Sequence, residues 1–303
     1  MIPEEVSEEL EYQHYKVVGR HSAVKICHWT RKSIRDEGHC YKQQFYGIQS
    51  HRCLQMTPSV LWCTNQCVYC WRTTDFTLKK ELEEFDEPQY IIEEAVRQQR
   101  RLLSGFGGIP EQINKKKFEE AQKPNQAAIS LAGEPTVYPR LSDLLGEFHK
   151  RSYTTYLVTN GTLPERLEAL DTLPTQLYVS LDAPTEGIYK NVDRPMLSDA
   201  WERVNRTLEL FPSLETRKVV RLTLVKGLNM TEPEAYSKLI LKAEPDYVEV
   251  KAYMFVGGSR QRLALENMPS HAEIEEFAEK ISDNTGYGVK DRKEDSRVML
   301  LTK

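Results

Sequence analysis

"CTNQCVYCWR", residues 63–72, sets three cysteines within eight positions in the pattern C-x3-C-x2-C, with Tyr69 directly before the last. The segment "CTNQC" is too polar for a protein core. One short loop can turn three thiolates spaced this tightly toward a common point. Three is the informative number. A structural zinc or an electron-transfer cluster normally takes four protein ligands. A [4Fe–4S] cubane on three cysteines leaves one iron open to a small molecule. Zinc with three ligands and a water remains a second reading, although a zinc knuckle pairs one C-x2-C with another and this chain has no second pair.

Outward from the loop the chain becomes regular. From residue 58, short runs rich in β-branched residues alternate with helical stretches. The expected strands are 58–62, 127–131, 153–158, 176–181, 219–225 and 246–252, with 296-to-302 "SRVMLLT" supplying a closing strand over "RVMLLT". Asp86 is expected to cap the helix that begins near Pro88, and Ser198 the helix through "WERVNRTLEL". "TEPEAYSKLILKA" and "SHAEIEEFAEKI" read as two more helices. This alternation predicts an α/β fold with a parallel sheet, doubly wound or closed into an incomplete barrel. Its site should lie at the carboxyl ends of the strands. Polar residues of unusual type do follow each strand in turn: Cys63, "AGEP" (132–135), "TNG" (159–161), "SLD" (180–182), "KGLN" (226–229) and "YMFVGGS" (253–259).

The 303 residues, 40% hydrophobic and 28% charged, are enough for a large core, and the length is ordinary for an α/β barrel with additions. No run of eighteen apolar residues appears, so no membrane span is expected. "MIPEEVSEEL" lacks the apolar stretch of a secretory signal, and a cytoplasmic protein follows as the default. Thiols stay reduced there, so six cysteines point to metal or catalysis before disulfides. The net charge of −4 is not that of a strongly basic nucleic-acid binder, yet "HWTRKSIR" (28–35), "RQQRR" (97–101) and "KKK" (115–117) are locally basic.

With Cys63, Cys67, Tyr69 and Cys70 after a first strand, the chain resembles the radical S-adenosylmethionine (SAM) superfamily. The resemblance implies a partial (β/α)6 TIM-type barrel, a [4Fe–4S] cluster on the three cysteines, and SAM on the open iron. The superfamily's GGE motif after the second strand reads Ala132-Gly133-Glu134-Pro135 here, with alanine in place of the first glycine. It implies that Gly133 and Glu134 bind the SAM amino group, and that Asn160, Ser180 and Asp182 meet its carboxylate and ribose beside Tyr69. Asn160-Gly161 can equally be an ordinary turn.

Cys27, Cys40 and Cys53 remain, with twelve residues in each gap. A second cluster with an open iron, a zinc site that recruits His28, His39 or His51, and plain core packing are all compatible with them. The blocks "SVLWCTNQCVYCWR", "LAGEPT", "LVTNG", "VSLDAP" and "VKAYMFVGGSR" resemble the 4-demethylwyosine synthase family of the wybutosine pathway, in its archaeal form without a flavodoxin domain. That resemblance implies a lyase that condenses pyruvate C2–C3 with N1-methylguanosine-37 of phenylalanine tRNA. It implies a second [4Fe–4S] cluster at Cys27, Cys40 and Cys53, carried by an N-terminal extension (1–57) ahead of the barrel (58–303). It also implies an external electron donor and an essential lysine just after the second of these cysteines, which is Lys42. A lysine is more often a solvated surface charge. Next to Cys40, its amine could instead form a Schiff base with pyruvate, or neutralise charge while the second cluster chelates the keto acid.

A tRNA enzyme needs phosphate contacts, for which Lys32, Arg35, Arg72, Arg97, Arg100, Lys115 and Lys116 are candidates. A monomer without membrane contact is expected. The competing readings are a radical SAM peptide or glycyl-radical modifying enzyme with an auxiliary cluster, and a non-catalytic zinc RNA-binding module.

Overall fold

The computed structural model describes residues 2–78 and 82–303. They fall into two units: 2–62, 82–158 and 170–175 in the first, and 63–78, 159–169 and 176–303 in the second.

The first unit begins with helix α1 (Glu4–Tyr12), followed by the short antiparallel strands β1 (Lys16–Val18) and β2 (Ser22–Val24). Helices α2 (His28–Ile34) and α3 (Tyr41–Tyr46) come next, each starting directly after a cysteine. Strand β3 (Cys53–Thr57) pairs antiparallel with β2. On its other side it pairs in parallel with β4 (Gln126–Ile129), with Cys53 opposite Gln126 and Met56 opposite Ile129. Helices α4 (Pro88–Leu103) and α5 (Lys115–Ala121) lie between β3 and β4 in sequence, and α6 (Leu141–Lys150) leads to β5 (Thr154–Thr159), which continues the parallel ladder from β4. Every residue of β4 is buried, as expected of a strand covered on both faces.

The second unit holds α7 (Pro164–Glu168), β6 (Gln176–Ser180), α8 (Glu186–Val192), α9 (Ala200–Leu210) and β7 (Arg217–Leu224). Helix α10 (Pro233–Ala243), strand β8 (Tyr247–Ala252), helix α11 (His271–Thr285) and strands β9 (Gly288–Lys293) and β10 (Val298–Thr302) complete it. Strands β6, β7 and β8 are parallel; β10 then pairs antiparallel with β8, and β9 antiparallel with β10. The chain therefore closes with a hairpin, of which only β10 was expected. A reciprocal capping box starts α11: Ser270 Oγ accepts the Glu273 N–H, and the Glu273 carboxylate accepts the Ser270 N–H.

Three local expectations need correction. The first parallel strand is Cys53–Thr57, not 58–62. Pro58 has no N–H for a ladder, and Val60, Leu61 and Trp62 are buried in a turn instead, with the Val60 N–H donating to His21 O. Asp86 does not cap α4, whose N-cap is Glu87; the Asp86 carboxylate accepts the Arg20 N–H at 2.6 Å, and its own N–H donates to His21 Nε2. The residue ahead of α9 is Asp199 rather than Ser198, and its carboxylate accepts from Arg203 instead of from the backbone.

In the second unit, Arg221 on β7 lies opposite Glu249 on β8 and donates to it at 2.8 Å, with the Glu249 side chain fully buried. Removing one partner leaves an uncompensated buried charge. Arg221→Met should cost about 3–5 kcal/mol, and adding Glu249→Leu should recover most of the loss. Urea unfolding of the single and double variants checks this.

Candidate active site

The cysteine loop of the second unit is fastened along its backbone. Gln66 N–H donates to Asp193 O at 3.0 Å, Val68 N–H to Val192 O at 2.8 Å, and Met196 N–H to Thr64 O at 2.8 Å. Asn65 forms an isolated bridge with Pro195, and its side-chain amide donates to the Tyr189 hydroxyl. Arg262 clamps the other end: Nε donates to Val68 O at 3.1 Å, and Nη2 donates to the carbonyls of Cys70 and Arg72. Gly258 N–H donates to Trp71 O at 2.7 Å. Here glycine is required, because a Cβ on Gly257 (φ 58°) would lie 2.3 Å from Trp71 O, and one on Gly258 2.7 Å from Arg72 O.

Cys63, Cys67 and Cys70 are half-buried in this loop. Burial pushes the Cys67 thiol well above its ordinary range, with the Asp193 carboxylate and the other two thiols adding to the effect. Asn160 sits beside them, donating to Thr64 Oγ1 at 2.8 Å with Cys63 Sγ at 3.9 Å, while its Oδ1 accepts from Thr162. It holds the cysteine loop as well as its own turn. Tyr69 donates its hydroxyl to Asp182 Oδ2 at 2.5 Å and lies 3.3 Å from Asp193 Oδ1. The Thr223 N–H donates to Asp182 Oδ1, and Asn229 donates to the Asp182 carbonyl. Burial raises both carboxyl groups, and the nearness of Asp182 raises Asp193 further. Ser180 ends β6, half-buried.

Arg72 is not a surface phosphate contact. It is 5% exposed, and its buried Nε and Nη1 have no hydrogen-bond partner. Burial works against its charge, but Cys70, Cys63 and Cys67 more than offset that and hold its pKa above the ordinary value.

In the first unit, Gly133 adopts φ 71°, and a Cβ there would fall 1.8 Å from Ser59 O. Ala132 has no such left-handed conformation, so alanine replaces the motif's first glycine without strain. Glu134 donates its N–H to Trp62 O at 2.7 Å, and its carboxylate accepts the Thr136 N–H and hydroxyl at 3.0 and 2.7 Å.

The same unit brings Cys27, Cys40, Cys53 and Lys42 together. Burial raises the Cys53 thiol, the nearby Cys27 and Cys40 raise it further, and Lys42 opposes them. Burial also raises Cys27, against the backbone N–H groups of Trp29 and Thr30 and the Lys42 charge. Lys42 is 8% exposed, with Nζ 5.3 Å from the centre of the Tyr156 ring. Ser50 ties the two short helices together: its hydroxyl accepts the Cys40 N–H and donates to Gln43, and its carbonyl accepts from Thr30. His51 is engaged elsewhere, 2.7 Å from Glu120.

Asp193 and Arg262 were not found from sequence. "VDRP" offered only an acidic residue after a helix, and Arg262 meets the loop across 192 residues of chain.

Comparison with known proteins bears on the chemistry. Residues 57–240 match the family model for the radical SAM superfamily, and residues 242–303 match the model for wyosine base formation. The chain is 57% identical to the S-adenosyl-L-methionine-dependent tRNA 4-demethylwyosine synthase of Pyrococcus abyssi, over 99% of this chain and 89% of that protein. The chain belongs to the tRNA 4-demethylwyosine synthases. Two solved structures align with all of it and with 96% of their own chains. One is described as TYW1 "with a lysine-pyruvate adduct bound" (TM-score 0.91, 39% identity), the other as archaeal TYW1 (TM-score 0.83, 36% identity). The fold is the α/β partial barrel of the superfamily. The protein is an enzyme of wyosine base formation in tRNA, and membership of the superfamily implies SAM and a [4Fe–4S] cluster. Among the described residues, no helix is long and apolar enough to cross a membrane.

The loop residues fit such a cluster: three half-buried thiols lie beside two buried guanidinium N–H groups that lack acceptors. Among the described residues no three His, Cys, Asp or Glu side chains are grouped to hold one metal ion. The cysteines of a four-iron cluster bind different irons and stand farther apart than ligands of one ion.

Gly133→Ala should push the Glu134 backbone off Trp62; with the SAM amino group on Gly133 and Glu134, as the superfamily motif implies, SAM affinity should fall at least about tenfold, roughly 1.4 kcal/mol, with iron content unchanged. Equilibrium dialysis with labelled SAM measures this.

Proposed function

We propose that this enzyme joins C2 and C3 of pyruvate to N1-methylguanosine at position 37 of phenylalanine tRNA, closing the third ring of 4-demethylwyosine. The observation that carries the reading is the buried Lys42 among Cys27, Cys40 and Cys53, in a chain whose structural relative is described with a lysine–pyruvate adduct. The Lys42 amine, as free base, attacks the C2 carbonyl of pyruvate; water leaves and a C=N bond forms. The imine holds the keto acid by a covalent bond and leaves its methyl carbon oriented for joining to the base.

Cys63, Cys67 and Cys70 hold the [4Fe–4S] cluster that binds SAM, and Cys27, Cys40 and Cys53 hold a second. When bound, the first cluster and SAM supply a 5′-deoxyadenosyl radical that removes a hydrogen atom from substrate. Gly133, Glu134, Asn160, Ser180 and Asp182 position SAM, with Tyr69 fixing the Asp182 carboxylate. An external donor supplies the electron, and the chain works as a monomer. Exposed Arg97, Arg100, Lys115 and Lys116 on α4 and α5 of the first unit meet tRNA phosphates.

Anaerobic incubation with SAM, a reductant, pyruvate and N1-methylguanosine tRNA, followed by nucleoside mass analysis, tests the reaction. The tricyclic nucleoside should appear. 5′-Deoxyadenosine without it would point to another substrate, such as a peptide or glycyl-radical protein. Borohydride with labelled pyruvate should place the label on Lys42, and an active Lys42→Ala enzyme would sink the imine. For the tRNA face, Lys115→Glu with Lys116→Glu should flatten the salt dependence of binding by about two phosphate contacts' worth, near 0.9 each in log–log slope. Filter binding across a salt series reads this; an unchanged slope rules that surface out.

A further inference from the structure

Arg72 is a buried charge with donors to spare. A guanidinium stays protonated at any pH the protein survives and cannot shed its charge to suit an apolar site. Two of its N–H groups, Nε and Nη1, are buried and meet no acceptor, a costly arrangement unless something else fills the role. It lies two residues past Cys70, near enough to Cys70, Cys63 and Cys67 for their charge to act on it. Its backbone is pinned: the carbonyl accepts from Arg262 Nη2 and packs against Gly258, where any Cβ would clash. The backbone from which this buried side chain departs is thereby fixed in the cysteine loop.

We infer that Arg72 donates Nε–H and Nη1–H to sulfur atoms of the iron–sulfur cluster held by Cys63, Cys67 and Cys70, and so raises that cluster's reduction potential. The inference rests on the cluster assignment proposed above. Its physical basis is general: hydrogen bonds to cluster sulfur and nearby charge set where such a cluster titrates. Reduction adds one negative charge beside the guanidinium, so a fixed positive charge there favours the reduced form. Arg72 thus acts as an electrostatic and positioning residue whose effect falls on electron transfer into the cluster, before SAM is cleaved.

The test uses full-length protein loaded with iron and sulfide under anaerobic conditions. The EPR signal that changes when SAM is added identifies the cluster in question, and that signal is then titrated against potential without SAM. Arg72→Gln should shift the reduction equilibrium about tenfold toward the oxidised form, about 59 mV lower for one electron. Arg72→Lys keeps the charge but loses the planar pair of donors, and should fall between Gln and the natural residue. A wild-type midpoint in Arg72→Gln at full iron content overturns the inference. If Arg72→Gln holds too little iron to titrate, a wild-type midpoint in Arg72→Lys overturns it equally. A shift that appears only with SAM present overturns it as well, because the donors would then serve the SAM carboxylate. Absence of any SAM-responsive signal in the unaltered protein would instead remove the cluster assignment beneath it.

Discussion

Taking ionised sulfur out of water is the constraint on which both cysteine groups depend. A buried thiolate is unstable unless a cation, a metal or hydrogen-bond donors replace the lost hydration. In each unit, burial drives cysteine thiols toward the neutral form, and in each a basic side chain two residues past a cysteine is buried against them. The local pattern is the same: Cys40-Tyr41-Lys42 in one, Cys70-Trp71-Arg72 in the other. The chemistry differs because the bases differ. Lysine can lose its proton and become a nucleophile, whereas arginine cannot and remains a fixed charge. In the reaction proposed above, one motif would serve covalent capture of a keto acid in the first unit and electrostatics in the second.

Much of the scaffold was legible because the parallel strands leave short apolar runs: β6 is buried from Gln176 to Val179 within "QLYVSL", and β7 buries Val219, Val220, Leu222 and Leu224 within "VVRLTLV". The first parallel strand was misread for the same reason. "PSVLW" is equally apolar and equally buried, but Pro58 takes it out of the ladder, and the true strand "CLQMT" alternates too weakly to stand out. Strands β1, β2 and β9 escaped because three-residue and solvent-facing strands carry little pattern.

At the site, spacing made the cysteines readable, while the groups that fix them were not. Arg262 and Asp193 act across more than a hundred residues of chain, a distance that no local motif encodes. Arg72 was taken for a phosphate contact because positive charge in a sequence suggests exposure; only the fold reveals that a charged side chain has been drawn inside. Lys42 shows the converse, where proximity to Cys40 outweighed the usual expectation for lysine. The Ala132-Gly133 pair is a departure that geometry explains: only the second position needs a left-handed backbone and the absence of a side chain.

The manner in which the cysteine loop is fastened has a bearing on the enzyme's life in the presence of oxygen. In a zinc finger the metal itself orders the ligands, so metal and fold are lost together. Here the backbone of residues 64–72 is held by Val192, Asp193, Met196, Gly258 and Arg262, all of them protein partners. The ordering of the ligands is therefore already met by the polypeptide. On the cluster assignment proposed above, a protein whose cluster has been oxidised away would keep the mould in which it formed, and repair would become a matter of delivering iron and sulfide rather than of folding a chain again.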